Sequence, residues 1–134
     1  MENIYVLMRE FLKKRGIEVD EKGSGALIFS VNNLRFLFQV FEPDLNFFRL
    51  SLPSINNNTK AYEQLHDEIQ QLNRDYKVAK IIEQDNHSLW IIADQFVYST
   101  IQIDMLFDRL VQAMTDMIKD YYNKERNNHG TEQQ

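Results

Sequence analysis

The chain opens with apolar residues at helical spacing. Ile4, Met8 and Leu12 lie four residues apart, which is the spacing of one face of an amphipathic helix. Asn3 is placed to cap the first turn, and Gly16 is a typical residue just past a helix C-terminus. The pattern therefore predicts a first helix that ends before Gly16.

After this helix the apolar period changes to two. Alternating apolar and polar residues indicate half-buried strands, and Asn32-Asn33 is a two-residue hairpin signal because Asn tolerates positive φ. Joints this short allow only antiparallel pairing. The predicted strands cover residues 17–20, 26–31, 34–41 and 47–52.

The second half returns to helical spacing and then to strands. Leu65, Ile69 and Leu72 mark one face of a second helix, and strands are expected at 78–83 and 89–96. A final helix follows. Its predicted core stripe is Ile103, Phe107, Leu110, Met114, Met117 and Tyr121.

The predicted order of elements is α-β-β-β-β-α-β-β-α. Helices separated by hairpins should pack mainly on one face of an antiparallel sheet, so the fold class is α+β. We expect residues 1–123 to form a single domain. Residues 124–134 are rich in Asn, Lys, Glu and Gln, which predicts a disordered C-terminal tail.

Composition narrows the possible functions. The 134 residues contain no cysteine, which excludes disulfides and thiolate nucleophiles, and we expect a cytoplasmic protein. The formal net charge of −5 argues against a nucleic-acid partner, because such binding neutralises phosphates with Lys and Arg. No apolar run approaches the ~20 residues of a membrane span, so we expect no membrane association.

No pattern in the chain predicts catalysis, a cofactor or a metal site. Ser24 lies between two glycines, but these join two strands and are explained by a turn. His66, His87 and His129 show no spacing typical of metal ligands. We therefore expect a protein that is not an enzyme and has no catalytic, cofactor-binding or metal-binding residues.

An acidic row lies along the last helix, with aspartates separated by multiples of four. A solvated polar face explains this row, but it is also compatible with binding a basic protein. Its members are Asp104, Asp108, Asp116 and Asp120.

Apolar residues on both sides of the strands are the main functional signal. Leu37 and Phe41 fall on the side opposite Phe36 and Phe38. Because helices on one face leave the second face open, apolar side chains there indicate an interface or a ligand groove, unless loops or neighbouring polar side chains cover them. Strand addition at a sheet edge is a second way to bind a segment. The predicted partner contacts are Leu37, Phe41, Phe48 and Leu50.

Residues 72–80, with the sequence LNRDYKVAK, resemble a known family junction. The stretch is similar to one in the YbjN-like family, where an Asn near the end of the middle helix leads into a strand. The hairpin and last helix over 81–122 fit the same scheme. The order of elements resembles the fold shared by this family and the class I type III secretion chaperones.

The resemblance implies a homodimer of a bacterial chaperone-like type that binds polypeptides without doing chemistry, because the chaperones hold an effector segment along their surface. It assigns no catalytic residue to this chain. The identity of the polypeptide partner stays open. The alternative hypothesis is a small apolar ligand-binding protein with a pocket between the sheet and the C-terminal helix.

Overall fold

The structure, a computed structural model, describes residues 3–42, 44–55 and 62–132. These residues form three helices and a six-stranded antiparallel sheet, which confirms the α+β fold and the predicted order of elements. The elements are α1 (Ile4–Lys14), β1 (Val19–Lys22), β2 (Ala26–Val31), β3 (Leu34–Phe41), β4 (Asp44–Ile55), α2 (Tyr62–Asp75), β5 (Lys80–Glu83), β6 (Leu89–Phe96) and α3 (Thr100–Glu132).

Local chemistry fixes both ends of α1. The Asn3 side chain accepts a hydrogen bond from the backbone N–H of Tyr5 at 2.7 Å, which confirms Asn3 as the N-cap. At the other end Gly16 has φ +73 and donates to the Lys13 carbonyl at 2.9 Å, which closes the helix in the left-handed region.

The strand order across the sheet is β1-β2-β3-β4-β6-β5, and every neighbouring pair is antiparallel. The first four strands form the predicted meander. Asn32 and Asn33 both have positive φ, at 56 and 63, as a tight two-residue hairpin requires. β6 pairs with β4, so β1 and β5 are the edges of the sheet.

The core lies on one face of the sheet, which we call the inner face. Helices α1, α2 and α3 all contribute buried apolar residues to it, among them Met8, Leu72 and Met114. Each fully buried side chain of this kind stabilises the fold by roughly 1.5–3 kcal/mol. The buried inner-face residues of the strands are Leu27, Phe29, Phe36, Phe38, Phe48, Leu50, Leu52, Ile81, Leu89, Ile91 and Ala93.

Helix α3 is longer than expected. Its backbone continues as helix to Glu132, past residue 123 where the folded domain was predicted to end, and residues 133 and 134 lie outside the described residues. The division into a domain and a disordered tail stays a prediction. Within the described part of the chain, no helix has the length and apolar character that crossing a membrane requires.

Candidate binding surface on the outer face of the sheet

The sheet face that points away from the helices, here called the outer face, is also largely apolar. Pairing places Ile28, Leu37, Ser51 and Ile92 in one row across four strands. The three apolar members of this row are partly exposed, whereas their sequence neighbours point into the core. The sheet thus presents an apolar centre on the side opposite the helices.

Four aromatic rings extend this surface towards one end of the sheet. The Phe41 and Phe47 ring centroids are 6.1 Å apart, those of Phe47 and Phe96 are 5.3 Å apart, and Phe96 stacks on Tyr98 at 6.3 Å. Three of these side chains are exposed, with fractions of 42% for Phe41, 48% for Phe96 and 63% for Tyr98. We call these four residues the aromatic strip.

Backbone register and capping contacts position the aromatic strip. Phe47 pairs directly with Phe96 across β4 and β6. A register shift between Val40 and Phe41 interrupts the β3–β4 ladder beside these rings, and such irregularities often redirect a side chain. At the start of α3, the Gln102 side chain accepts the Tyr98 backbone N–H at 2.6 Å. The strip therefore belongs to the folded scaffold.

An ion pair borders the aromatic strip. Arg49 donates two hydrogen bonds to the Asp94 carboxylate, at 2.7 and 3.0 Å, and its guanidinium lies 5.9 Å from the Phe41 ring centroid. The hydrogen bonds to Asp94 raise the pKa of Arg49 above its usual value. Because Asp94 neutralises Arg49, this part of the outer face combines exposed aromatic surface with little net charge.

The predicted contact residues divide between the two faces. Leu37 and Phe41 lie on the outer face, but Phe48 and Leu50 are each only 1% exposed and lie in the core. β3–β4 pairing is the reason, since Leu50 is opposite the core residue Phe38. This correction removes Phe48 and Leu50 from the surface that a partner can reach.

Sequence reasoning did not select Phe47, Phe96 and Tyr98 as contacts. A partial signal existed, because Phe47 and Phe48 must point to opposite faces of β4. The alternation of residues 48–52, with the sequence FRLSL, already favoured Phe48 for the core and Phe47 for the opposite face. Tyr98 lies beyond the end of β6, where strand alternation makes no prediction.

The acidic row of α3 forms contacts within the chain, and the possible metal ligands in the described part of the chain do not lie together. Asp108 accepts two hydrogen bonds from Arg15, at 2.7 and 3.0 Å, and Asp120 accepts one from the Tyr76 hydroxyl. The acidic row of α3 therefore joins helices as well as facing solvent. Across residues 3–42, 44–55 and 62–132, no group of three acidic or histidine side chains is arranged to hold a metal ion.

Comparison with solved structures supports the fold. The structure described as "Crystal structure of YbjN, a putative transcription regulator from E. coli" is 13% identical, with a TM-score of 0.70 over 88% of this chain and 90% of that chain. An uncharacterized protein from Methanothermobacter thermautotrophicus is 6% identical, with a TM-score of 0.62 over 89% and 96% of the two chains. At these identities the likeness concerns the fold alone.

Comparison by sequence gives a more specific result. No curated protein matches the chain. A family model does match, over residues 6–124, and it is the model of the YbjN family, described as "Putative bacterial sensory transduction regulator". That range runs from α1 to the far part of α3 and includes the whole sheet. The chain is therefore a member of the YbjN family.

Proposed function

We propose that this protein is a non-enzymatic, chaperone-like binding module that holds an apolar polypeptide segment on the outer face of its sheet. The observation that carries the proposal is the aromatic strip, in which Phe41 and Phe96 stay exposed although they belong to strands of the sheet. The description of the family as a regulator is compatible with such a module. We place the protein in the cytoplasm, with which a chain without cysteine is compatible.

The chemistry of the outer face suits a polypeptide better than a charged polymer. Aromatic side chains supply large contact areas and are enriched at protein interfaces. Arg49 is neutralised by Asp94, so it does not provide a free cation for phosphates. An apolar segment that covers Leu37 and Phe96 would remove both side chains from water, which is the main source of affinity in such contacts.

The proposal includes a homodimer, as the resemblance to secretion chaperones implies. A two-fold interface is the commonest arrangement of soluble oligomers. Sedimentation velocity of the purified chain over a concentration series tests this part, and a monomer at all concentrations would contradict it.

The central experiment uses the double variant Phe96→Ser/Tyr98→Ser, which removes half of the aromatic strip without touching the core. We expect it to stay folded but to lose most of the wild-type ability to suppress aggregation of a heat-unfolded client enzyme. Met105→Ser is the matched control, because Met105 is 68% exposed but lies on α3. Equal suppression by the double variant and the wild type would refute the proposal.

A second candidate function rests on a groove beside α3. An open groove of about 520 Å³ lies between the β2–β3 turn and α3, and Leu34, Ile118 and Tyr122 line it. Thr115 also lines the groove, and its hydroxyl is buried with no hydrogen-bond partner among the described residues. Together with Lys119 at the rim, this composition suits a small apolar ligand with an anionic group.

Titration with anilinonaphthalene sulfonate, which is aromatic and anionic, tests the groove. The titration should use the Phe96→Ser/Tyr98→Ser background, so that the aromatic strip does not contribute. Saturable fluorescence that Lys119→Glu weakens at least tenfold would support a ligand site. Equal fluorescence with and without Lys119→Glu would remove this candidate.

A further inference from the structure

The backbone N–H and C=O groups of the edge strand β5 point alternately towards β6 and towards the free edge of the sheet. The Gln84 N–H donates to the Ser88 carbonyl at 2.8 Å, so the backbone groups of Gln84 point towards β6. In an antiparallel ladder, alternate residues direct their N–H and C=O groups to opposite sides. The backbone groups of Lys80 and Ile82 therefore point towards β6. Those of Ile81 and Glu83 point towards the free edge of the sheet.

A side chain from α2 occupies this edge. The Asn73 Oδ1 accepts the Ile81 N–H at 2.8 Å, and the Asn73 Nδ2 donates to the Ile81 carbonyl at 3.0 Å. One amide thus makes the same pair of hydrogen bonds that an adjacent strand residue would make. The backbone of Ile81 is closed to any other strand while Asn73 stays in place.

Further contacts hold the C-terminal end of α2 against β5. The Lys80 ammonium donates to the carbonyls of Asn73 and Tyr76, the first at 2.6 Å. The Tyr76 hydroxyl donates to Asp120 on α3, and the nearby Leu72 is only 1% exposed. Asn73 is therefore positioned by a set of contacts that joins α2, β5 and α3.

The two edges of the sheet are protected by different means. β1 has the sequence VDEK, and its charged side chains discourage pairing with another strand. β5 has the sequence KIIE, with two adjacent isoleucines at its centre. An edge strand of this kind invites pairing unless something covers it, and in this chain Asn73 provides the cover.

We propose that β5 is a concealed strand-addition site, that Asn73 closes it as a strand mimic, and that its occupant is β5 of a second copy of this chain. The direction of the backbone groups limits the register. Ile81 must lie opposite a residue whose backbone groups also point to the free edge. Ile81 and Glu83 are the two such residues of β5, and both form hydrogen bonds when Ile81 pairs with Glu83 of the second copy. Ile82 then lies on the two-fold axis, where it meets its own copy on the outer face.

The free edge of β5 is separate from the aromatic strip, so strand addition at this edge is independent of binding on the outer face. The first variant is Asn73→Ala in the full chain, studied by sedimentation velocity over a concentration series. We expect a species with twice the mass of the wild-type species, and amide exchange at Ile81 that is fast in dilute samples and slows as concentration rises. Gln71→Ala is the control, because Gln71 is exposed on α2 and bonds only to Asp75 among the contacts described.

Two further variants complete the test. Asn73→Ala/Ile82→Lys should return to the wild-type mass, because it places two ammonium groups against each other at the proposed two-fold axis. Asn73→Asp keeps an acceptor for the Ile81 N–H but loses the donor to the Ile81 carbonyl, so it should associate less than Asn73→Ala. If Asn73→Ala does not fold, Asn73→Asp takes its place in the test. The proposal is overturned if the folded variant keeps the wild-type mass throughout, or if Gln71→Ala or the Ile82→Lys double variant associates equally.

Discussion

The inner and outer faces of the sheet differ less in residue type than in what lies opposite them. On the inner face, the ring centroids of Phe38 and Phe48 are 5.2 Å apart and both side chains are almost fully buried. On the outer face, the ring centroids of Phe47 and Phe96 are 5.3 Å apart, but this pair stays partly exposed. The helices account for this difference, because they cover only the inner face. An apolar strand residue therefore indicates burial or binding only once its face is known.

Phe47 and Phe48 allow the largest test of this comparison, since they are adjacent in β4 and point to opposite faces. Phe48→Ala should lower the free energy of unfolding by about 3–5 kcal/mol, because it leaves a cavity in the core. Phe47→Ala should cost roughly 1 kcal/mol, since that ring is only half-buried. Urea denaturation of both variants measures the difference, and equal losses would mean that the two faces are not distinct.

Local signals were sufficient to predict most of the fold. Asn3, Gly16 and the Asn32-Asn33 pair act through their own backbone and nearest neighbours, and the structure confirms each of them. The order of elements and the packing of helices on one face followed from the change of apolar period, which also depends on short stretches of chain.

The binding surface was predicted only in part, because it depends on contacts between distant residues. Leu37 and Phe41 were placed correctly on the outer face, and their role as partner contacts stays a prediction. For Phe48 and Leu50 the alternation of residues 48–52, with the sequence FRLSL, favoured the core, so the error lay in the choice of face and not in a missing signal. The closure of β5 by Asn73 had no clear local signal, because an Asn near a helix end has many local uses.

Polar contacts outside the core provide a smaller test of how the helix layer differs from the outer face. Tyr76→Phe removes the hydroxyl that donates to Asp120 and should lower the free energy of unfolding by about 1 kcal/mol. Burial, reinforced by Asp120, raises the pKa of Tyr76, so the bond is intact at neutral pH. Tyr98→Phe on the outer face is the control and should leave stability unchanged in the same urea titration.

Ser51 tests whether the centre of the outer face is packed as well as apolar. Its side chain is fully buried, and its hydroxyl has no hydrogen-bond partner in the part of the chain that the structure describes. Ser51→Ala should raise the free energy of unfolding by roughly 0.5–1 kcal/mol, because burying an unpaired hydroxyl is unfavourable. The exposed Ser30→Ala should show no such gain. A clear loss of stability in Ser51→Ala would show that the hydroxyl is bonded.

The smallest expected effect concerns the Arg15–Asp108 ion pair between the helices, whose two hydrogen bonds have the same lengths as those of Arg49–Asp94 on the outer face. Hydrogen bonds from Arg15 lower the pKa of Asp108. A carboxyl group with a lowered pKa stabilises the fold above its unfolded pKa of roughly 3.9, and this contribution is lost as pH falls through the folded value. Asp108→Asn should therefore be less stable than the wild type near pH 6, by less than about 1 kcal/mol because the pair is exposed.

This difference between Asp108→Asn and the wild type should shrink as pH falls below about 4, where the wild-type carboxyl becomes protonated and loses its charge. Urea unfolding at several pH values between 2.5 and 6 measures it, with Asp85→Asn in the β5–β6 turn as the control for removal of one exposed charge. Since exposed charges are screened by salt, repeating the series at high ionic strength should reduce the difference at pH 6. A difference that stays constant from pH 6 to pH 2.5 would mean that the charge of Asp108 does not stabilise the contact between α1 and α3.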